Sequence, residues 1–110
     1  MVAANNSRVS GLMLELHVPD FQAAKEFYGI LGFQQVYSEE NYLVLARGTE
    51  KICFFGGSAA VTNHSYFSQY PAETKRGYGV EIIIPVDDLT ATFAALSVRY
   101  QITAQIQLRP

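Results

Sequence analysis

Residues 12–33 read Leu12-Met-Leu-Glu-Leu-His-Val-Pro-Asp-Phe-Gln-Ala-Ala-Lys-Glu-Phe-Tyr-Gly-Ile-Leu-Gly-Phe33, a strand followed at once by a helix. Leu12, Leu14, Leu16 and Val18 occupy one parity and Met13, Glu15 and His17 the other, the alternation of a strand with one face buried. Pro19 has no N–H to donate and ends it. Asp20 is placed to cap a helix in which Phe21, Ala24, Phe27, Tyr28 and Leu31 recur at helical spacing. Gly32 suits the left-handed position that closes such a helix.

Downstream, Phe33 to Ser38, Tyr42 to Ala46 and Ile52 to Phe55 are short runs rich in β-formers, broken by Glu39-Glu40-Asn41 and Gly48-Thr49-Glu50. The first unit, about residues 9–56, therefore reads βαβββ. Gly56 to Gly79 reads as a connector, but Tyr66, Phe67, Tyr70 and Tyr78 are out of place in a solvated loop, so it is expected to pack on something. Val80 to Val86 then reads as a strand interrupted by Glu81, Asp87 or Asp88 as a cap, and Leu89, Phe93, Leu96 and Tyr100 as a second amphipathic helix, with Thr103 to Leu108 a final strand. An offset of about 68 residues lays Leu14, Leu16 and Val18 on Ile82, Ile84 and Val86, and Asp20 on Asp88, a repeat of one supersecondary unit. In this second unit, about 79–110, the counterparts of the last two strands would fall at residue 110 and beyond, so it is expected to be incomplete. The predicted class is α+β, a curved mixed sheet with the helices outside.

The 110 residues, 49% hydrophobic and 16% charged, predict one globular domain over 1–110. A net charge of -2 with scattered Lys and Arg offers no footprint for a phosphate backbone, so nucleic acid is not an expected partner. The single cysteine, Cys53, excludes an intramolecular disulfide framework and is expected as a buried thiol on a strand. Met1 to Gly11 is polar and small, and no apolar run reaches membrane-spanning length. A cytoplasmic protein without a membrane partner is the expectation.

The stretch from Glu15 to Phe33, with its Asp-x6-Phe-Tyr-x3-Gly-Phe pattern at Asp20 to Phe33, together with Arg76-Gly-Tyr-Gly-Val-Glu-Ile-Ile-Ile-Pro-Val-Asp-Asp-Leu89, resembles the glyoxalase, bleomycin-resistance and extradiol-dioxygenase superfamily, also called vicinal oxygen chelate. The likeness covers most of Val9 to Leu108. It implies paired βαβββ units around a cleft, commonly in dimers. It also implies either metal-dependent lyases, isomerases and dioxygenases or metal-free proteins that sequester drugs. The sequence departs from the family in lacking a strand pair with Trp-Gly-x-Arg and Asp-Pro-x-Gly-Asn-like motifs.

Metal-dependent members place His, Glu or Gln on the first and fourth strands of each unit. The resemblance maps three of those positions to Met13, Phe54 and Glu81, and the fourth beyond the sequence. One carboxylate with a thioether and a phenyl ring does not make a site for a hard or borderline divalent ion, so no metal, no other cofactor and no catalytic residue is expected. His17 and Glu15 share the parity of Met13, but His17 lies roughly 13 Å along an extended strand from it, too far for a substitute ligand. His64 reads as a surface residue of the connector.

Taking Ile52 and Phe54 to face the cleft, and Cys53 and Phe55 the helix, makes the site apolar and aromatic. The alternative is that Phe54 packs in core. Glu15 and Glu81 would favour a cation over an anion, with Tyr42 or Tyr78 supplying cation–π contact. The expected ligand-binding set is Met13, Glu15, Tyr42, Ile52, Phe54, Tyr78 and Glu81. The expected function is non-catalytic binding or sequestration of a small hydrophobic, neutral or cationic molecule. The rivals are a metal-dependent lyase or isomerase and a shortened relative acting only in self-association. Ile102, Ile106 and Leu108 beside an unpaired sheet edge predict a homodimer.

Overall fold

The first strand, β1 (Leu14–Val18), feeds through Pro19 and Asp20 into helix α1 (Phe21–Ile30), in a computed structural model that describes residues 12–57, 65–71, 73–74 and 79–102. The Asp20 carboxylate accepts hydrogen bonds from the backbone N–H groups of Gln22 at 2.9 Å and Ala23 at 3.2 Å. Two of the donors that a helix start leaves unsatisfied are thereby paired. At the other end Gly32 has φ +92°, a conformation that L side chains rarely adopt. A Cβ there would also sit 3.3 Å from Cδ of Arg47. That side chain is pinned by a hydrogen bond from Nη1 to the Leu31 carbonyl, two to Glu50 from Nη2, and the Phe33 ring 5.0 Å away.

Three further strands follow, β2 (Gln34–Glu39), β3 (Tyr42–Arg47) and β4 (Glu50–Gly56). The sheet order is β1-β4-β3-β2, with β1 parallel to β4 and the other pairs antiparallel. This is the expected βαβββ unit, in which α1 carries the chain from β1 across one face of the sheet. Its core holds Ala24, Phe33, Leu43, Leu45, Ile52 and Phe54, with Leu16, Val18, Phe21, Tyr28, Leu31 and Ile84 packed around them. The outer strand β2 is largely exposed and carries a register shift between Gln35 and Tyr37, features that blunt a free sheet edge.

The second unit differs from expectation. Helix α2 (Leu89–Ser97) forms where predicted, three residues short of Tyr100, and Asp88 caps it by accepting from the Ala91 N–H at 2.9 Å. Asp20 and Asp88, paired by the internal repeat, thus do the same work. Residues 80–86, predicted as a strand, join no ladder among the described residues. An apolar β-forming run becomes a strand only when a neighbour pairs its backbone, and none of the described residues does. Only Ile84 of this segment packs on the core, while Ile83 is 68% exposed. Helix α2 rests on α1, with the Phe27 and Tyr100 rings 5.2 Å apart and Arg99 paired to Glu26 at 3.0 Å. The fold is α+β, a four-stranded mixed sheet with two helices. The predicted strand Thr103 to Leu108 lies outside the described residues.

Candidate functional site on the sheet face opposite helix α1

Residues opposite one another across a ladder share a face, so the register sorts the side chains. Leu14 pairs with Ile52 and Leu16 with Phe54, which are also opposite Leu45 and Leu43. This set lies under α1, where the Phe54 ring is 5.3 Å from that of Tyr28 and Phe54 is 0% exposed. The expectation that Ile52 and Phe54 face a cleft is therefore corrected, since both are core. Alternation specifies two faces but not which one the helix covers, and an apolar strand such as Ile52-Cys-Phe-Phe55 is buried on both.

The opposite face is built in rows. One runs Glu15, Cys53, Val44, Tyr37 and the next His17, Phe55, Tyr42, Glu39, each from β1 through β4 and β3 to β2. Glu15 and Tyr42 thus lie on the face opposite Ile52 and Phe54, with which they were expected to share a cleft. Met13 precedes β1 and joins no ladder among the described residues, and Cys53 is the expected buried thiol, though turned away from α1. Nε2 of His17 lies 3.1 Å from Oε1 of Glu15, with side-chain exposures of 14% and 30%. The imidazole is 5.2 Å from the Phe55 ring, and Phe67 meets it edge-on at 4.6 Å. At the far edge the Tyr37 hydroxyl donates to Glu39, and the Tyr37 and Tyr42 rings are 6.5 Å apart.

Phe67 belongs to a 3-10 turn (Phe67–Gln69) in the connector. The connector therefore packs through Phe67, as expected of one of its aromatic residues, while Tyr66 and Tyr70 remain exposed. Tyr66 lies against Phe67 at 5.1 Å and shares a 3.1 Å hydroxyl contact with Tyr70. That hydrogen bond, before charge repulsion and burial, raises the Tyr70 phenol above its ordinary range. In the middle of the face Val44 and Cys53 are only 3% and 1% exposed. Phe67 lies over the His17 end of this face, while Tyr42 and Phe55 stay half-buried and Glu39 exposed.

Of the other predicted site residues, Glu81 is exposed on the segment without a ladder and Tyr78 lies outside the described residues, as does His64, read as a surface residue of the connector. Sequence reasoning left out His17, Phe55 and Phe67. The parity shared by Met13, Glu15 and His17 marks His17, and a one-residue change of face marks Phe55. Nothing local marks Phe67, which is brought to His17 by the path of the connector. Among the described residues no group of three His, Cys, Asp or Glu comes together to hold a metal ion, and no helix is long and apolar enough to cross a membrane.

An open recess of about 540 Å³ lies elsewhere, between the C-terminal end of α1, the β3–β4 turn and the start of α2. Among its polar groups Arg47 is engaged with Glu50 and Leu31, and Asp88 is the α2 cap. It is a seam between the helices rather than a set of convergent groups.

No protein-family model matches the chain, and neither does any curated protein. A solved structure does match, that of a bleomycin resistance determinant encoded on the transposon Tn5, at 22% identity over 88% of this chain and 71% of that one with a TM-score of 0.55. At that identity the likeness is one of fold: this chain has the fold of the bleomycin resistance determinant.

Proposed function

We propose that the protein binds a small, flat, apolar molecule reversibly on the sheet face opposite α1, without transforming it. The observation that carries this is the row of Tyr42, Phe55 and His17 side by side on three strands, with Phe67 of the connector edge-on to His17 and the Glu15 carboxylate 3.1 Å from its Nε2. Aromatic surfaces with few, placed polar groups are what small-molecule sites are made of. The same fold in a protein that confers resistance to bleomycin supports the reading. Metal-dependent catalysis is disfavoured by the positions that would supply ligands, since Phe54 has no donor atom and is sealed in the core.

A fluorescence or calorimetric screen of planar aromatic compounds tests this. Hits are expected to lose about fivefold or more in affinity in Phe55→Ala, which removes apolar burial on the order of 1–3 kcal/mol. Hits unaffected by Phe55→Ala in a folded protein would place binding elsewhere.

A second reading is favoured by the burial of Val44 and Cys53 and the seating of Phe67 on His17. In it the chain fills its own concavity and serves in self-association. The exposed segment 80–86, with Val80, Ile82 and Ile83 at the surface, is the apolar area a second copy would cover. A screen without a hit, together with a stable dimer by light scattering that Ile83→Lys dissociates, selects this reading over the first.

A further inference from the structure

We infer that the ligand class of this face is a flat organic cation with delocalised charge, and that Glu15, held by His17, is the group that recognises the charge. The inference rests on the proposed binding face and goes further by assigning the charge of the ligand and the residue that reads it. Glu15 is half-buried on β1, its Oε1 3.1 Å from Nε2 of His17. A neutral imidazole donating from Nε2 leaves the pair with one negative charge. The contact also ties the carboxylate to an imidazole that the Phe55 and Phe67 rings flank. Partial burial lowers the local dielectric, so a carboxylate there attracts a cation more strongly than one in open water.

The second carboxylate on the face, Glu39, is exposed on the outer strand, where solvent weakens its pull. Lys51 shares this face by alternation on β4 and is likewise exposed. The balance near the aromatic cluster is therefore set by Glu15. A compact ammonium ion is strongly hydrated and gains little from ring faces. A delocalised cation loses less water and gains both the ring contact and the carboxylate. An anion would meet Glu15 with repulsion.

The test uses acridine and N-methylacridinium, the same three-ring plane without and with a fixed charge, titrated against the full chain by fluorescence. At about pH 8.5, about two units above the value of a free imidazole, acridine carries no charge. Glu15→Gln is expected to weaken N-methylacridinium about tenfold and acridine less than twofold, while Glu39→Gln changes neither by more than about twofold. His17→Phe keeps the ring and removes the contact to Glu15, and is expected to reduce the preference for the cation. Binding of both probes that depends on Phe55 but is indifferent to Glu15→Gln would overturn the charge assignment and leave the binding face standing. Absence of binding by either probe, or binding indifferent to Phe55→Ala, would overturn both.

Discussion

The ring of Tyr28 on α1 lies 5.3 Å from the ring of Phe54 on β4, and this contact identifies the side of the sheet that forms the core. Phe54 is 0% exposed, whereas its neighbour Phe55 is half-buried on the other face. Phe54→Ala is expected to cost about 3–5 kcal/mol of stability through lost burial and the cavity left behind, and Phe55→Ala markedly less. Urea unfolding of the two variants measures this. A larger loss in Phe55→Ala would show that the faces are exchanged.

Burial pushes the Tyr28 phenol above its ordinary value of about 10. The folded state thus holds this proton more tightly than the unfolded chain. Its contribution is fully present below about pH 10 and is lost as pH rises through the folded value, because the unfolded chain ionises first. The melting temperature is expected to fall above about pH 10 more steeply for the native sequence than for Tyr28→Phe. Parallel curves would mean that the phenol is not held in its neutral form by the core.

Asp20 and Asp88 cap their helices in the same way, yet the consequences of losing them differ. Helix α1 buries Ala24 and packs Phe21 and Tyr28 on the core, whereas α2 has no buried residue. Asp20→Ala is expected to lower global stability by about 1 kcal/mol. Asp88→Ala is expected to act mainly as faster amide hydrogen exchange in 89–97, with a smaller global effect. Equal global losses would indicate that α2 is as integral to the core as α1.

Gly57 follows β4 at φ +76°, and a Cβ added to it would meet the Phe21 ring at 3.0 Å. Its N–H donates to the Val18 carbonyl at 2.9 Å, tying the ends of β1 and β4 together. Gly57→Ala combines a backbone penalty with displacement of a core-contacting ring. It is expected to destabilise by more than about 1 kcal/mol. A thermal melt within error of the native protein would show that the turn relaxes freely.

Much of the first unit was legible in local chemistry. The alternation of Leu14, Leu16 and Val18, the Asp20 cap, the spacing from Phe21 to Leu31, Gly32 at positive φ and the three following strands all appear within a residue or two of where the sequence placed them. Each depends on neighbours a few residues away. The buried state of Cys53 and the packing of the aromatic connector were likewise readable from composition and position.

What the tertiary structure decided was everything that required knowing a distant partner. Alternation divided Ile52 to Phe55 into two faces, but only the docking of Tyr28 on Phe54 showed that the core takes Ile52 and Phe54, leaving Phe55 for the candidate site. Val80 to Val86 has the composition of a strand, yet it joins no ladder among the described residues, because pairing is a property of two segments and not of one. The grouping of His17 with Phe67 reaches from β1 into the middle of the connector, a separation at which no sequence period carries information. It arises because residues far apart in the chain are brought together when apolar and aromatic surface is removed from water.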